Sequence, residues 1–436
     1  LKNTDDRIIC LTKNTDVRIR LKNQEFEMSC TTADKLPRAA KTLSSTRAMT
    51  VFATAAAILF SASAAAPTPL YRHYQEIFGL SPAVLTVIFS AYVFSVLAAL
   101  LTVGTLSDYT GRRPVIFGAL VLNVVAETMF VEANSAALLI AARVVQGFAT
   151  GAAITTLGAT ILETNRARGP LVNSITAFLG LAAGALGAGA LVAFGPDPAQ
   201  LVYAILLGIS AVFAMLLWQM PETATRKPGA LASLRPLVHV PAHLRPTLAQ
   251  ITPVNIAAWA LGGFNLSLMP SLVRIATGIT SPFTGALVVA AVMFTAALAV
   301  VAMRNRTASQ ALGLGTPALI AGVLIILAAV HAQMAAVMMA GASAAGFGFG
   351  ASFSGLFRKL LPLAAPGERA GLLSAFYVES YLAFSLPAIL AGLAAPKLGL
   401  ELTTYIYGAA IILLATASLV SLRAPRRGVP SNKITL

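Results

Sequence analysis

The sequence predicts an all-α membrane protein, with twelve transmembrane helices in two six-helix bundles. Three observations carry this. The 436-residue chain is 57% hydrophobic and only 11% charged, where a water-soluble domain carries about 25% charged residues. Twelve stretches reach the ~20 mainly apolar residues that a spanning helix needs. The two halves of the chain are weakly similar to one another. Helices are the economical choice because backbone amides in hydrocarbon must be satisfied within the segment. No alternation of period two suggests a barrel.

The spans are expected at roughly 48–67, 82–105, 114–131, 135–160, 171–194, 199–219, 248–272, 280–303, 311–330, 333–357, 371–395 and 399–421. Turn and charge signals separate them: Pro67-Thr68-Pro69, Asp108 through Pro114, Asn165 through Pro170, Gly195 through Pro198, and Pro362 through Arg369. The longest polar break, 220–247, is read as a linker between bundles at 48–219 and 248–421, with tails at 1–47 and 422–436. Basic tail, apolar core and the run Ser61-Ala62-Ser63-Ala64-Ala65-Ala66 also fit a signal peptide. Cleavage there would leave 248–272 without its mate in the repeat. Lys2 through Ile8 recurs almost intact as Lys13 through Ile19, and Met28 opens an ordinary polar N-terminus. Residues 1–27 are therefore expected to be a gene-model artefact, or else a short disordered tail.

Net charge is +15, from 31 Lys+Arg against 16 Asp+Glu. Twelve spans put both termini on one side. That side holds 27 of the basic residues; Arg72, Arg274 and Lys397 lie opposite, and Arg143 falls inside a span. The positive-inside rule then makes both termini cytoplasmic, in a cell (inner or plasma) membrane. Spread over seven segments, the basic residues give no support for nucleic-acid binding. The two cysteines, Cys10 and Cys30, lie in the N-terminal tail, so no structural disulfide is expected in the membrane part.

The repeat appears at an offset near 199. Gly147-Phe148-Ala149-Thr150-Gly151-Ala152 matches Gly346-Phe347-Gly348-Phe349-Gly350-Ala351, and Thr176-Ala177-Phe178 parallels Ser374-Ala375-Phe376. The first span ends Pro69-Leu70-Tyr71-Arg72 and the seventh Pro270-Ser271-Leu272-Val273-Arg274. A parallel six-plus-six duplication places binding where the halves meet.

Gly104-Thr105-Leu106-Ser107-Asp108-Tyr109-Thr110-Gly111-Arg112-Arg113, after span 2, resembles the loop 2–3 signature G-x-L-x-D-R-x-G-R-R of the major facilitator superfamily (MFS). Gly104 allows close helix approach, Gly111 a tight turn, and Asp108 meets a helix N-terminus or an arginine. The resemblance implies a latch towards span 11, near Arg369-Ala370-Gly371. Tyr109 stands where a basic residue is usual, which removes one ion pair. The plainer reading is a positive-inside turn with a cap. Arg143-Val144-Val145-Gln146-Gly147 resembles the family's R-x-x-Q-G motif, whose arginine is implicated in proton transfer in proton-coupled relatives. An arginine inside a span costs about 2.5–3.5 kcal/mol on insertion scales, so it needs a polar partner or a wet cavity. The structural alternative caps carbonyls or pairs with Glu127. The aligned position in the second half is Ala342. Gly180, Gly184, Gly187 and Gly189 resemble the antiporter motif G-x-x-x-G-P-x-x-G-G without its proline, and close helix packing explains them equally. Pro221-Glu222-Thr223 after span 6 is also family-like.

Glu379 in span 11 is the best internal carboxylate, able to carry a proton or bind a cationic substrate; a carboxyl hydrogen-bonded within its bundle is the alternative. Asn255, Trp259 and Asn265 of span 7 are candidate cavity-lining residues, or else interhelical hydrogen bonds and an interfacial anchor. Pro387 is expected to kink span 11. His239 and His243 are read as solvent-facing, and no metal site is expected. Neither a nucleotide-binding loop nor a catalytic constellation is present, so an enzyme and a cofactor are not expected. The resemblance covers ~48 to 421 and implies alternating access between the halves. The function expected is secondary active transport: proton-coupled export of small organic or amphipathic compounds by a monomer in the lipid bilayer. By the same resemblance, many cationic-drug exporters of the family keep a carboxylate in the first span, and its absence between Ala48 and Ala66 disfavours cations. The alternative is an uptake symporter or facilitator for a small metabolite.

Overall fold

In the computed structural model, residues 17–21, 24–28, 36–365 and 367–423 are described. Residues 1–48 and 49–436 form separate compact units. In the first, β1 (Val17–Leu21) and β2 (Gln24–Met28) pair antiparallel, Val17 opposite Met28. This hairpin is an addition to the all-helical expectation. Cys10, Cys30 and everything after Arg423 lie outside the described residues.

The membrane part is helical. Span 1 is α1 (Leu36–Ala65) with α2 (Pro67–Phe78). Then come α3 (Pro82–Thr102), the single turn α4 (Ser107–Thr110), α5 (Arg112–Val131), α6 (Ala136–Thr164), α7 (Gly169–Phe194) and α8 (Pro198–Leu216). The second half holds α9 (Arg245–Ser267), α10 (Met269–Thr277), α11 (Pro282–Ala302), α12 (Ala308–Ala332), α13 (Ala335–Leu360), α14 (Arg369–Leu398) and α15 (Leu400–Arg423). Among the described residues, eleven helices are long and apolar enough to cross a membrane, and α9 with α10 makes a twelfth if the pair, bent by 68°, is one span. The protein is a multi-pass membrane protein.

Two boundaries differ from expectation, for the same reason. Span 1 continues to Phe78 rather than ending at 67, and span 7 breaks at Leu268 rather than running to 272. Each break is followed by prolines. Proline has no N–H, so it strips the carbonyl four residues back of its helical donor. Pro67 frees the Ser63 carbonyl and Pro270 frees that of Leu266. Pro387, by contrast, lies inside α14 without interrupting it.

The ends carry recognisable stops. Ser81 and Ser135 accept the amides of Val84 and Leu138, and Thr307 with Gln310 closes a capping box before α12. Gly278 ends α10 at φ 69°, a conformation glycine adopts without a Cβ clash. Large apolar side chains such as Val51, Val212, Leu390 and Leu413 point outward; on a membrane protein they meet lipid tails.

The side bearing the 220–247 linker is here called the linker side, and the opposite one the far side. Contacts that join the halves run from mid-span to the far side. Phe89 of α3 stacks on Phe384 of α14 at 5.4 Å, and Phe194 of α7 meets Phe283 of α11 at 5.8 Å. A Cβ at Gly189 of α7 would strike Ala286 of α11, and one at Gly392 of α14 would strike Thr86 of α3. Thr68 of α2 donates its hydroxyl to the freed Leu266 carbonyl at 3.0 Å.

Glycines set the spacing within the second half. A Cβ at Gly346 would run into Val292 and Thr295 of α11, one at Gly348 into Leu319 of α12, and one at Gly350 into the Ala296 backbone. Close packing therefore accounts for this series. Gly350→Val is expected to lower stability by about 1–3 kcal/mol through overpacking, while Gly118→Val, with nothing within 4 Å of the added carbon, leaves it unchanged. Thermal unfolding of the purified variants in detergent checks this; equal midpoints would contradict the packing account.

Candidate functional site

Three polar assemblies are built on this frame. The first lies on the linker side, at the loop 2–3 motif. Gly111 adopts φ 96° between α4 and α5, and a Cβ there would come within 2.8 Å of the Glu222 carboxylate. The positive φ calls for glycine at this position. It lets Glu222 accept the first amides of α5, Arg112 N–H at 2.7 Å and Arg113 N–H at 3.0 Å. A carboxylate at a helix N-terminus satisfies orphan donors and the helix dipole together. The Pro-Glu-Thr sequence after span 6 thus caps the motif's helix. Asp108 takes the other expected partner: it pairs with Arg112 at 2.5 Å, while Arg112 also reaches Glu163 of α6 at 2.5 Å and is itself buried. Arg113 lies over the Trp218 ring at 5.2 Å.

Gly104 sits in the turn after α3, beside the Leu100 carbonyl. The linker touches both neighbours of the expected latch: Lys227 N–H donates to the Tyr109 carbonyl at 2.8 Å, and His239 N–H to that of Gly371, in the first turn of α14, at 3.3 Å. Asp108 is half-exposed and its pairing stays within its own turn. His243, read from sequence as solvent-facing, is exposed, with Glu368 at 3.8 Å.

The second assembly fills the interior of the first half. Arg143 of α6 is buried, with its guanidinium 4.2 Å from the Tyr92 ring of α3. Its Nη1 donates to Gln146 Oε1 at 2.7 Å and to the Ala64 carbonyl at 3.2 Å. Gln146 Nε2 donates to the Ser63 carbonyl at 3.0 Å, the group Pro67 leaves free. The R-x-x-Q pair therefore satisfies the first span where proline interrupts its hydrogen bonding. Gly147 is required beside it, because a Cβ would meet the Tyr92 carbonyl and Ser95. Asn123 of α5 donates to Ser210 of α8 at 2.9 Å and to Glu127 Oε1 at 3.4 Å. Glu127 is fully buried, and among the described residues no ion pair joins it to Arg143. Glu127 Oε2, Arg143 Nε, Asn123 Oδ1 and Tyr71 Oη have no hydrogen-bond partner. Four such atoms in one bundle interior leave room in the hydrogen-bond scheme for water or a proton.

The third assembly belongs to the second half. Glu379 of α14 is half-buried; Asn255 donates to one carboxylate oxygen and Thr252 to the other, each at 3.0 Å. Asn255 also donates to Ser380 at 3.0 Å. Among the described residues no cation pairs with Glu379. One turn beyond Asn255, Trp259 touches Phe349, Phe353, Tyr381 and Phe384 at ring distances of 5.3–6.4 Å. Phe178 of α7 adds an edge contact to Phe349 at 5.3 Å. An aromatic cluster thus bridges the halves at mid-span beside Glu379.

Asn265 lies apart from it, donating to the Val289 carbonyl of α11 at 3.1 Å. Asn255 and Asn265 are both fully buried in interhelical hydrogen bonds. Gly180 and Gly184 pack against Ile58, Ser61 and Ala62 of α1, and Gly189 against α11. Sequence reading did not single out Ser63, Asn123, Ser210 and the phenylalanine cluster. Serines and phenylalanines are ordinary in apolar spans, and only the proline-freed Ser63 carbonyl was signalled, by Pro67.

A seventh span bent by 68°, two helical halves and buried polar groups in each are the features of a secondary transporter of the alternating-access class. The chain belongs to the Major Facilitator Superfamily, whose profile matches residues 51–381. No curated protein matches its sequence. Solved structures with a similar fold include a bacterial homologue of the human lysosomal transporter Spinster, inward-facing and unoccupied. It is 15% identical, with a TM-score of 0.67, 87% of this chain and 97% of that one covered. The human organic anion transporter MFSD10 (TETRAN) is 16% identical, TM-score 0.64, covering 86% and 99%. A mutant of the nucleoside transporter NupG is 12% identical, TM-score 0.65, covering 86% and 99%.

Replacing Gln146 with Leu would leave the Ser63 carbonyl and Arg143 short of a partner. The expected loss is about 1–3 kcal/mol, the scale of a buried group left unsatisfied. Thermal unfolding measures it, and an unchanged midpoint would contradict the capping role.

Proposed function

We propose that the protein is a proton-coupled exporter of small organic or amphipathic compounds, with both termini and the linker in the cytoplasm. Glu379 carries this reading. It is a carboxylate within a span, held by neutral donors alone among the described residues, and such a group is functional by default. A proton arriving there is accommodated without breaking an ion pair, and the neighbouring aromatic cluster offers an apolar face to a solute. Arg143 and Glu127 form the corresponding polar centre of the first half, where Glu127 Oε2 is the open acceptor. The contacts between halves favour a state closed on the far side and open towards the linker. In that state the Asp108–Arg112 pair is confined to its own half. The expected latch would form when the linker side closes, bringing α14 towards Asp108. The 27-to-3 distribution of basic residues supports the orientation.

The second reading, uptake by symport or facilitation, is favoured by Ala185, which stands where the antiporter motif has proline. A compound-panel accumulation assay with and without the proton gradient, in overexpressing and deletion cells, separates the two. Export that needs inward proton flow supports the first reading; uptake that collapses the gradient supports the second.

Two substitutions test the roles assigned. Asp108→Asn is expected to slow transport while substrate binding and expression stay near normal; unchanged turnover would remove the latch. Glu379→Gln is expected to abolish the dependence of transport on pH; a preserved profile would move the proton to another residue.

A further inference from the structure

Of the three basic residues expected on the far side, two line the same cavity. Arg72 of α2 and Arg274 of α10 occupy matching places in the two halves, three and four residues after Pro69 and Pro270. Both face a cavity of about 380 Å³ formed where the halves meet, large enough for a small organic solute. Its floor is the far-side closure itself, because Thr68, which donates to the Leu266 carbonyl, is a lining residue. A solute leaving or entering by this side crosses the cavity.

Its charge is one-sided. Glu76 is the acidic lining residue among those described, and it is taken by Arg72 at 2.6 Å. Arg274 is exposed and has no ion pair or side-chain hydrogen bond among the described residues. The N-terminus of α11, a 21-residue helix, opens onto the same space: Thr280, Ser281 and Pro282 line it. Ser281 sits at the N-cap with its hydroxyl unused for capping. The first amides of α11 thus lack the side-chain acceptor that such a position usually supplies, and a helix N-terminus favours an anion. An unpaired guanidinium, a free hydroxyl and a helix N-terminus converge on one cavity. This set matches a carboxylate, which guanidinium binds in two-pronged fashion.

We propose that this vestibule is an anion-recognition site at the far-side mouth of the transport path, and that it takes small organic solutes bearing a carboxylate. The inference rests on the transport reading above and names its substrate class. Arg274 is the principal ligand, and Arg72 joins it to the extent that Glu76 releases it.

Benzoate, benzamide and benzylamine share one shape and differ in charge, so they test it directly. Binding of each to the purified full chain in neutral detergent is measured by calorimetry. Benzoate is expected to bind at least about tenfold tighter than benzamide, the scale of one charge-assisted hydrogen bond, and benzylamine least. Arg274→Gln is expected to erase that preference, Arg274→Lys to keep part of it, and Glu76→Gln to strengthen benzoate binding by freeing Arg72. A gain of affinity cannot come from misfolding. Arg304→Gln, on the linker side, serves as the unaffected control. Benzoate bound no better than benzamide, or bound equally by Arg274→Gln, overturns the proposal. So does loss of benzoate binding in nanodiscs containing phosphatidylglycerol when it persists in phosphatidylcholine alone, since a lipid headgroup would then be the occupant. Flux in proteoliposomes separates the two readings. Flux of other solutes without benzoate recognition sinks the anion site alone, whereas charge-selective binding without flux of any solute sinks the transport reading alone.

Discussion

The rule that every backbone carbonyl in hydrocarbon needs a donor governs this molecule most visibly where proline breaks it. Pro67 and Pro270 each release a carbonyl deep in the protein. The Ser63 carbonyl is met by Gln146 from α6, and the Leu266 carbonyl by Thr68 from the other half. One repair ties the first span to the R-x-x-Q motif. The other ties the halves to each other on the far side. Only the second crosses the halves, so it can be exchanged when they move without unfolding a helix, while the first keeps its own half together.

Much else follows from these two points. Arg143 is held where the first span breaks, and this accounts for a buried cation without a direct ion pair: a carbonyl, an amide oxygen and the Tyr92 ring share it. In the second half the freed carbonyl is met by Thr68 from the other half, and Ala342, aligned with Arg143, is buried. The 68° bend sets α10 aside, while α2 runs on from the first span, and the arginines of α2 and α10 face one vestibule. The linker side is organised differently, by carboxylates. Glu222 caps α5 and Glu163 holds Arg112, so the loop 2–3 motif is braced within its own half.

The helical class, the spans and the two first-half motifs were legible in the sequence, because length, hydropathy and short spacings encode them. The matched Pro69 and Pro270 were visible too, but as span ends; that they continue into further helices depends on packing, of α2 chiefly on α7 and of α10 chiefly on α11. The Glu222 cap joins residues 110 apart in the chain, which no local pattern reveals. The partners of Asn255 and Asn265 were equally hidden. An asparagine in a span has the same sequence signature whether it faces a cavity or a neighbouring helix, and both are now seen in interhelical bonds. The aromatic cluster around Trp259 was invisible for a similar reason, since phenylalanine is common on lipid-facing and core-facing positions alike.

The central claim is that the halves exchange far-side closure for linker-side closure. Spin labels at Ile77 and Ile275, exposed residues at the ends of α2 and α10 in opposite halves, report it through their distance distribution in nanodiscs. Two populations are predicted, the shorter matching the closed far side described here and the longer rising or falling with the proton gradient. A single distance that no gradient or pH shifts would contradict the account.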